Sequence, residues 1–448
     1  MHFNEFKDLV VAACEQAGIT EYELYYQAGT SISVGAFQHS INEFTSSSRG
    51  GVCLRCIVGG KMGYASTENL SPEQAKRLVE TAADAAAYLE SEEQVFLGEG
   101  GQVYEPLDIT PYELPHTDEL ISKVLDTQEK LYAADPAVID GCQTQGFAES
   151  SEIAIVNSKG LNLHYANNAS GLVAVSVVTN GSEMANDFTF KLGKLDQIDT
   201  DAMVTKVVTN AKIQLGGDVA PTGQYPVVFS PEAMSSLLQV FSSVFSSEAA
   251  QKGLSRFADK EGQIVASEAV TLVDDPFHAE NPEPINFDAE GSPTHRKNII
   301  ENGVLNTLLY NLKTAAAAGR KTTGNASKGG YDAPVAVRPF TMYLANGQLT
   351  EAELLAKAEG GVCITDLQGL HAGANAVSGD FSLQSSGFMI KDGKKADYVK
   401  SFTVAGNFYQ VLKNIEALAN NCQLPRAMGK TAFGSPSVLV SNLTIAGK

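Results

Sequence analysis

The chain has 448 residues, of which 44% are hydrophobic and 19% charged, a balance typical of globular proteins with a large core. It carries 52 Asp and Glu residues against 32 Lys and Arg residues, a formal net charge of −20. Nucleic acids and anionic membranes attract basic surfaces, so we expect neither as a partner.

The first segment opens with a helix. Apolar residues recur at helical spacing from Phe3 until Gly18 interrupts the pattern. Acidic residues break this segment, so we expect no signal peptide, and no apolar run is long enough for a transmembrane helix. The six cysteines are then expected to be reduced thiols, and the protein to be cytoplasmic.

Strands and a second helix follow in the first segment. β-type residues continue to Val58, and Gly59-Gly60 predicts a hairpin turn. Ser71 suits the N-cap of a helix, because Pro72 fits the first helical position and Gln74 completes a capping box. A Gly- and Glu-rich stretch after Leu97 is predicted to be a linker.

The middle segment repeats this mixture of helices and strands. We predict a helix near Thr117–Ala133 and then long alternating strands, with a hairpin at Asn180-Gly181. A further helix is predicted over Asp201–Leu215. Helices beside antiparallel strands indicate an α+β arrangement.

The last segment is mostly β. Ser230-Pro231-Glu232 predicts the start of a helix after a short strand. A helix over Thr403–Ala417 and a terminal strand over Val438–Ile445 are also predicted. The fold class is therefore α+β, with N-terminal and central helix-plus-antiparallel-sheet domains before a mostly β C-terminal domain. The predicted boundaries are 1–100, 108–216 and 224–448.

Metal-binding and nucleophile motifs are common sequence signs of a hydrolase. Zinc hydrolases commonly place two His and a Glu on one helical turn. The chain has seven histidines, and no two lie close enough in sequence to share a turn. No G-x-S-x-G nucleophile motif is present either. We therefore expect no complete metal or nucleophile motif in this chain.

A Gly- and Ser-rich stretch at Gly373–Gly387 has the composition of a close-contact site, because small residues let other backbones approach. A strand edge there could pair with an extended peptide, and an Asp could bind backbone amides. A tight turn within a sheet is the alternative. The candidate peptide-cleft residues are Ser378, Gly379, Asp380, Phe381 and Ser382.

Four separated stretches, in order, resemble the C-terminal domain of the TldD/TldE (PmbA) family, once called modulators of DNA gyrase. The N-terminal segments agree in outline, so the resemblance extends over essentially the whole chain. The four stretches are GQIVASEAVTLVDDP (Gly262–Pro276), FDAEGSPTHRKNIIENGVL (Phe287–Leu305), SGDFSLQSSGFMIKDGK (Ser378–Lys394) and GSPSVLVSNLTIAG (Gly434–Gly447).

The resemblance implies an intracellular peptidase system. TldD-type members resemble zinc metallopeptidases with a His-Glu pair on a helix, a second His four residues after the Glu, and a Cys ligand near the C-terminus. Counting back from Gly262, that helix falls near Leu238–Val244. In the two possible registers its key positions hold Leu238, Gln239 and Ser243, or Gln239, Val240 and Val244.

None of these side chains is a His or a Glu, and Cys422 alone, near the expected Cys position, makes no zinc site. The chain therefore resembles the TldE/PmbA type, which lacks the metal set and pairs with a TldD-type chain. The resemblance implies no cofactor in this chain and zinc only in such a partner.

Three hypotheses follow. The first is a metal-free subunit that works with a TldD-type metallopeptidase on peptides or unfolded segments. The second is a stand-alone homodimeric peptide-binding or scaffold protein. The third is an atypical enzyme that uses Cys422 with His295 or His371, since a thiol can be activated by a base within hydrogen-bond reach.

Overall fold

The computed structural model describes residues 1–90, 94–107, 111–281, 283–428 and 431–448. They form two compact units, each assembled from separated parts of the chain. The first unit contains residues 1–212, 285–294 and 311–336. The second contains residues 213–284, 295–310 and 337–448.

Helices and strands alternate in the first half of the chain, and short strands dominate the second half. The first half contains α1 (Phe3–Gln16), β1 (Tyr22–Phe37), β2 (Ser40–Val58), β3 (Lys61–Thr67), α2 (Pro72–Tyr88), α3 (Thr117–Ala134), β4 (Gln143–Asn157), β5 (Asn162–Thr179), β6 (Met184–Leu192) and α4 (Thr200–Ile213).

The second half contains most of the short elements. It begins with β7 (Asp218–Val219), β8 (Gly223–Phe229), α5 (Pro231–Phe241), α6 (Ser247–Gln251), β9 (Leu272–Asp274), β10 (Lys297–Glu301) and β11 (Val304–Leu305). It continues with α7 (Leu312–Ala317), β12 (Ala326–Ser327), β13 (Ala336–Val337), β14 (Thr341–Leu344), α8 (Glu351–Lys357), β15 (Val362–Gln368) and α9 (Leu370–Gly373). It ends with β16 (Asp380–Lys391), β17 (Lys394–Asn407), α10 (Phe408–Lys413), β18 (Ile415–Leu418), β19 (Gln423–Met428), β20 (Thr431–Ser435) and β21 (Val438–Ala446).

The first unit is built on one six-stranded antiparallel sheet with the order β3-β2-β1-β4-β5-β6. Because β1 pairs with β4 along its length, the N-terminal and central strands share this sheet. Side chains alternate between the two faces of a strand. Leu24 and Leu54 therefore share one face, where they pack with residues of α1 and α2 such as Val10 and Leu78.

The caps and the turn predicted from local sequence are confirmed, but the capping box with Gln74 is wrong, because the Ser71 backbone N–H donates to the Asn69 carbonyl at 3.2 Å. Gly59 and Gly60 connect β2 to β3 with φ values of +58° and +77°, a backbone that glycine adopts without strain. The Ser71 hydroxyl accepts the backbone N–H of Gln74 at the start of α2. Ser230 caps α5 in the same way, accepting the N–H of Ala233 at 3.2 Å.

The second unit contains two larger sheets. One has the order β11-β10-β9-β14-β20-β19 and the other the order β18-β21-β8-β15-β16-β17-β7. In the second of these, β21 also pairs with β17, so β21, β8, β15, β16 and β17 close into a barrel. The α+β fold class with a mostly β C-terminal region is therefore confirmed.

The helix predicted over Thr403–Ala417 is wrong in its extent. Only Phe408–Lys413 is helical, because the preceding residues belong to β17 and pair with both β16 and β21. The Asn407 side chain caps the short helix by accepting the N–H of Tyr409 at 3.1 Å. In the part of the chain that the structure describes, no helix is both long and apolar enough to span a membrane.

Candidate functional site

Helix α5 covers only the first part of Leu238–Val244, the segment where the resemblance places the metal helix of TldD-type chains. The helix ends at Phe241, and a single 3-10 turn over Ser242–Phe245 follows. Leu238 and Val244 are fully buried, whereas the Ser243 side chain is exposed. Gln239 and Val240 are half-buried. This segment is therefore a core helix with one polar side.

The donor chemistry of these side chains does not fit zinc. Leu and Val have no lone pair to donate, and the usual zinc ligands are Cys, His, Asp and Glu. Gln239 and Ser243 offer only a neutral amide and a hydroxyl. Among the described residues, no group of three or more His, Cys, Asp and Glu side chains is arranged to hold a metal ion.

An aromatic cluster packs against the buried side of α5. The ring of Phe241 stacks on Phe408 with centroids 4.6 Å apart and planes 9° apart. It also meets the ring of Phe381 edge-on at 6.3 Å. Phe245 stacks on Phe257 at 5.2 Å. The buried side of α5 is therefore packed with aromatic rings.

The candidate cleft residues lie where a turn leads into β16, beside this cluster. Gly379 has φ +82°, and a Cβ there would lie 2.5 Å from the Tyr409 ring, so glycine is required. Asp380 accepts a hydrogen bond from Asn407 Nδ2 at 2.8 Å, and Phe381 packs on Phe241. The structure thus brings the predicted cleft and the predicted helix together.

The backbone of this turn is already paired. Asp380–Ser382 lie opposite Asn407–Ala405 in β17, and Ala374 bridges Phe381 on the other side. The side chains of Asp380 and Ser382 are exposed. A ligand of this turn would therefore meet side chains first, and the peptide cleft stays a prediction.

Asn407 is a positioning residue that the sequence reasoning missed. Its Nδ2 donates to the Ser378 carbonyl at 2.9 Å as well as to Asp380, while its Oδ1 caps α10. These donors stabilise the charged carboxylate, and the Asn407 hydrogen bond, followed by that of Ser378, lowers the pKa of Asp380. The sequence signal that could have identified it is an Asn directly before a helix whose first residues are aromatic.

The weak nucleophile candidates lie in the same unit. Burial, with a smaller contribution from the charge of Glu280, raises the pKa of Cys422 to about 11. An activated thiol needs a lowered pKa instead. The contacts described for Cys422 are with Asn346 and with the Leu344 carbonyl, and neither is a base. His295 and His371 have exposed side chains.

A second cluster of titratable groups lies in the first unit. Arg55 Nε donates to Glu23 Oε1 at 2.9 Å, and Arg55 Nη1 lies 3.8 Å from Glu290 Oε1. These three side chains are almost fully buried. Asp288 is buried as well and accepts the backbone N–H groups of Glu290, Ser292 and Ala326, each at 2.9 Å.

Burial, followed by the nearby charge of Glu290, raises the pKa of Asp288 to about 7. The pKa of Glu290 is also raised, mainly by burial. Clusters with shifted pKa values often mark active sites. This cluster is enclosed, so a substrate has no direct access to it, and its role is to hold residues 285–294 against β1 and β2.

Three parts of the chain match the sequence patterns of one family. Residues 22–86 match the PmbA/TldA metallopeptidase domain 1, residues 111–215 the central domain and residues 222–447 the C-terminal domain. Fold and matches together define a metallopeptidase-related protein. The chain belongs to the PmbA/TldD metallopeptidase family, which confirms the resemblance found in the sequence.

Curated relatives span almost the whole chain. The metalloprotease PmbA of Escherichia coli O157:H7 is 23% identical over 433 residues, which cover 94% of this chain and 90% of that protein. A metalloprotease of Methanothermobacter thermautotrophicus is 26% identical over 445 residues, which cover 94% of each chain.

Solved structures share the fold. A Thermotoga maritima chain, whose name links it to modulation of a DNA gyrase, superposes with a TM-score of 0.90 at 28% identity and covers 99% of this chain and 100% of its own. TldE from Thermococcus kodakarensis superposes with a TM-score of 0.88 at 24% identity and covers 98% of this chain and 99% of its own.

Proposed function

We propose that this chain is a metal-free TldE/PmbA-type subunit of a cytoplasmic TldD/TldE-type metallopeptidase system that degrades or processes peptides and unfolded segments. One observation carries the proposal. Family matches extend over nearly the whole chain, yet the segment Leu238–Val244 has apolar or neutral side chains where the resemblance places the metal ligands of TldD-type chains.

The division of labour follows from the chemistry of the side chains. A TldD-type partner supplies zinc, which polarises the peptide carbonyl and activates water. This chain supplies binding groups around the turn at Ser378–Ser382, supported by the aromatic cluster below it. At α5 the side chains of Leu238 and Phe241 are fully buried in the core of this chain.

The test uses the purified full-length chain with and without a TldD-type chain. Cleavage of an unstructured peptide is followed by mass spectrometry. We expect no cleavage by this chain alone, cleavage by the mixture, and loss of the mixture's activity with a chelator. A matched control replaces the His-Glu pair of the partner by Ala and Gln. Chelator-insensitive cleavage by this chain alone would contradict the proposal.

A stand-alone, homodimeric peptide-binding or scaffold protein is the second candidate. The observation in its favour is that Asp380, Asn407 and Tyr409 build the turn from this chain alone. Peptide binding and a dimeric mass without any association with a TldD-type chain would favour this candidate over the first.

A further inference from the structure

Arg256 lies beside the candidate cleft in the second unit. Its guanidinium carbon is 5.4 Å from the centroid of the Tyr409 ring, and its backbone N–H donates to the Tyr409 hydroxyl at 3.2 Å. Tyr409 is buried and packs against Gly379. An exposed arginine that rests on a fixed ring loses less freedom on binding than a mobile one.

The charge of Arg256 is not neutralised by a direct contact. In the described ranges, no carboxylate oxygen lies within 4.0 Å of its side-chain nitrogens. Two other exposed cations of this unit differ, since Lys252 bonds to Glu248 at 2.6 Å and Lys395 to Glu351 at 2.9 Å. A planar guanidinium with unused donors is suited to a carboxylate, which it can bind through two hydrogen bonds.

Asp380 lies near Arg256, but its hydrogen bonds are made with other groups. Its Oδ1 accepts from Asn407, and its backbone N–H bonds to the Ser378 hydroxyl. The charge of Arg256 is a minor contributor to the lowered pKa of Asp380, after the hydrogen bonds from Asn407 and Ser378. Asp380 therefore contributes a fixed negative charge without occupying the arginine donors.

Two exposed apolar side chains belong to the same pair of loops. Leu254 precedes Arg256 by two residues and is 46% exposed, and Val377 precedes Gly379 by two residues and is 47% exposed. A ligand that covers them gains apolar contact in addition to the charge. The surface thus offers a cation, a carboxylate and apolar contacts together, which matches a peptide better than it matches a small anion.

We infer that Arg256 binds a carboxylate of an extended peptide, while Leu254 and Val377 contact its apolar side chains. The carboxylate is either the free C-terminus or an acidic side chain, because both have the same oxygen geometry. This inference rests on the peptide binding in the proposed function and adds the ligand group that is recognised. The chain as a whole is acidic, so this recognition depends on a local contact.

Binding of fluorescent, apolar peptides to the full-length chain tests the inference by anisotropy. One peptide has a free C-terminal carboxylate, the second is its C-terminal amide, and the third is the amide with a Glu side chain near the end. We expect Arg256→Gln to weaken binding of the first or third peptide about tenfold or more, because charge-assisted hydrogen bonds are lost. The plain amide should bind equally to both proteins.

Lys252→Gln is the matched control. It removes an exposed cation near Arg256 in the sequence, but this cation is already paired with Glu248. It should leave all three affinities unchanged. The inference is overturned if the wild type binds the acidic peptides and the amide with equal affinity. It is also overturned if Arg256→Gln lowers the affinity for all three peptides equally. Either result leaves the proposed function standing. Absence of binding for every peptide overturns both.

Discussion

Two buried clusters, one in each unit, join segments that are far apart in the sequence. The cluster in the first unit is built from ion pairs and centres on Arg55, between Glu23 and Glu290. The cluster in the second unit is aromatic and centres on Phe241, between Phe381 and Phe408. Both are packed cores, but only the aromatic one lies directly beneath a turn with exposed polar side chains.

The comparison shows that a shifted pKa does not by itself mark a site that a ligand can reach. Asp288 has one of the largest carboxyl shifts in the described residues, yet its side chain is enclosed and hydrogen-bonded to the backbone. The candidate site lies where buried rings support Asp380 and Arg256 at the surface. Here access to a ligand is more informative than the size of a pKa shift.

The largest expected effect comes from breaking the ion pairs around Arg55. Arg55→Met leaves Glu23 and Glu290 buried without their cation, which should lower the free energy of unfolding by about 3–5 kcal/mol. Lys159→Met is the control, because Lys159 pairs with the exposed Glu99 and such pairs contribute about 0–1 kcal/mol. Urea unfolding measures both, and equal small losses would show that the buried cluster is not a stabilising contact.

The second prediction concerns pH. The pKa of Asp288 is about 7 in the folded chain and about 3.9 when unfolded, so the folded chain keeps this carboxyl protonated up to a higher pH. This favours folding below about pH 4, and the advantage is lost as the pH rises to about 7. The stability of the wild type relative to Asp288→Asn should therefore fall between pH 5 and 7.

Urea unfolding of both proteins at pH 5, 6, 7 and 8 measures that difference. A wild-type advantage that grows with pH would mean that the three backbone N–H groups keep Asp288 ionised. Asp126→Asn is a suitable control, since Asp126 is exposed and forms an ion pair with Lys130 on the same helix.

A smaller effect is expected from the aromatic cluster. Phe241→Leu keeps an apolar side chain but removes the stacked pair with Phe408, which should lower stability by about 1 kcal/mol. Phe44→Leu changes a phenylalanine that is 53% exposed and should have almost no effect. Thermal melting compares them, and equal shifts would show that ring stacking contributes nothing at α5.

The smallest effect is predicted for Cys422. Its raised pKa keeps the thiol protonated at neutral pH, so Cys422→Ser should leave peptide binding and any cleavage with a partner unchanged. Alkylation by iodoacetamide at pH 7.5 should be slow compared with a free cysteine. Fast alkylation together with lost activity would revive the hypothesis of an atypical thiol enzyme.

Local structure was predictable because local residues determine it. The caps at Ser71 and Ser230 and the turn at Gly59-Gly60 follow from short-range hydrogen bonds and backbone preferences. The helix over Thr403–Ala417 was overextended, because pairing of β17 with distant strands overrides helical spacing.

The sites were predictable only in part. The Gly- and Ser-rich composition led to Asp380, and the family resemblance led to the segment Leu238–Val244. The contact of Phe381 with Phe241 and the position of Arg256 on Tyr409 depend on tertiary packing between distant segments, which periodicity does not encode. The meeting of Arg55 with Glu290 was missed for the same reason.

The zinc content of the purified full-length chain, measured by mass spectrometry alongside peptide cleavage, tests the central claim most directly. The account predicts no stoichiometric zinc and no cleavage by this chain alone, with both appearing only when a TldD-type chain is present. One tightly bound zinc per chain, together with chelator-sensitive cleavage by the chain alone, would contradict it.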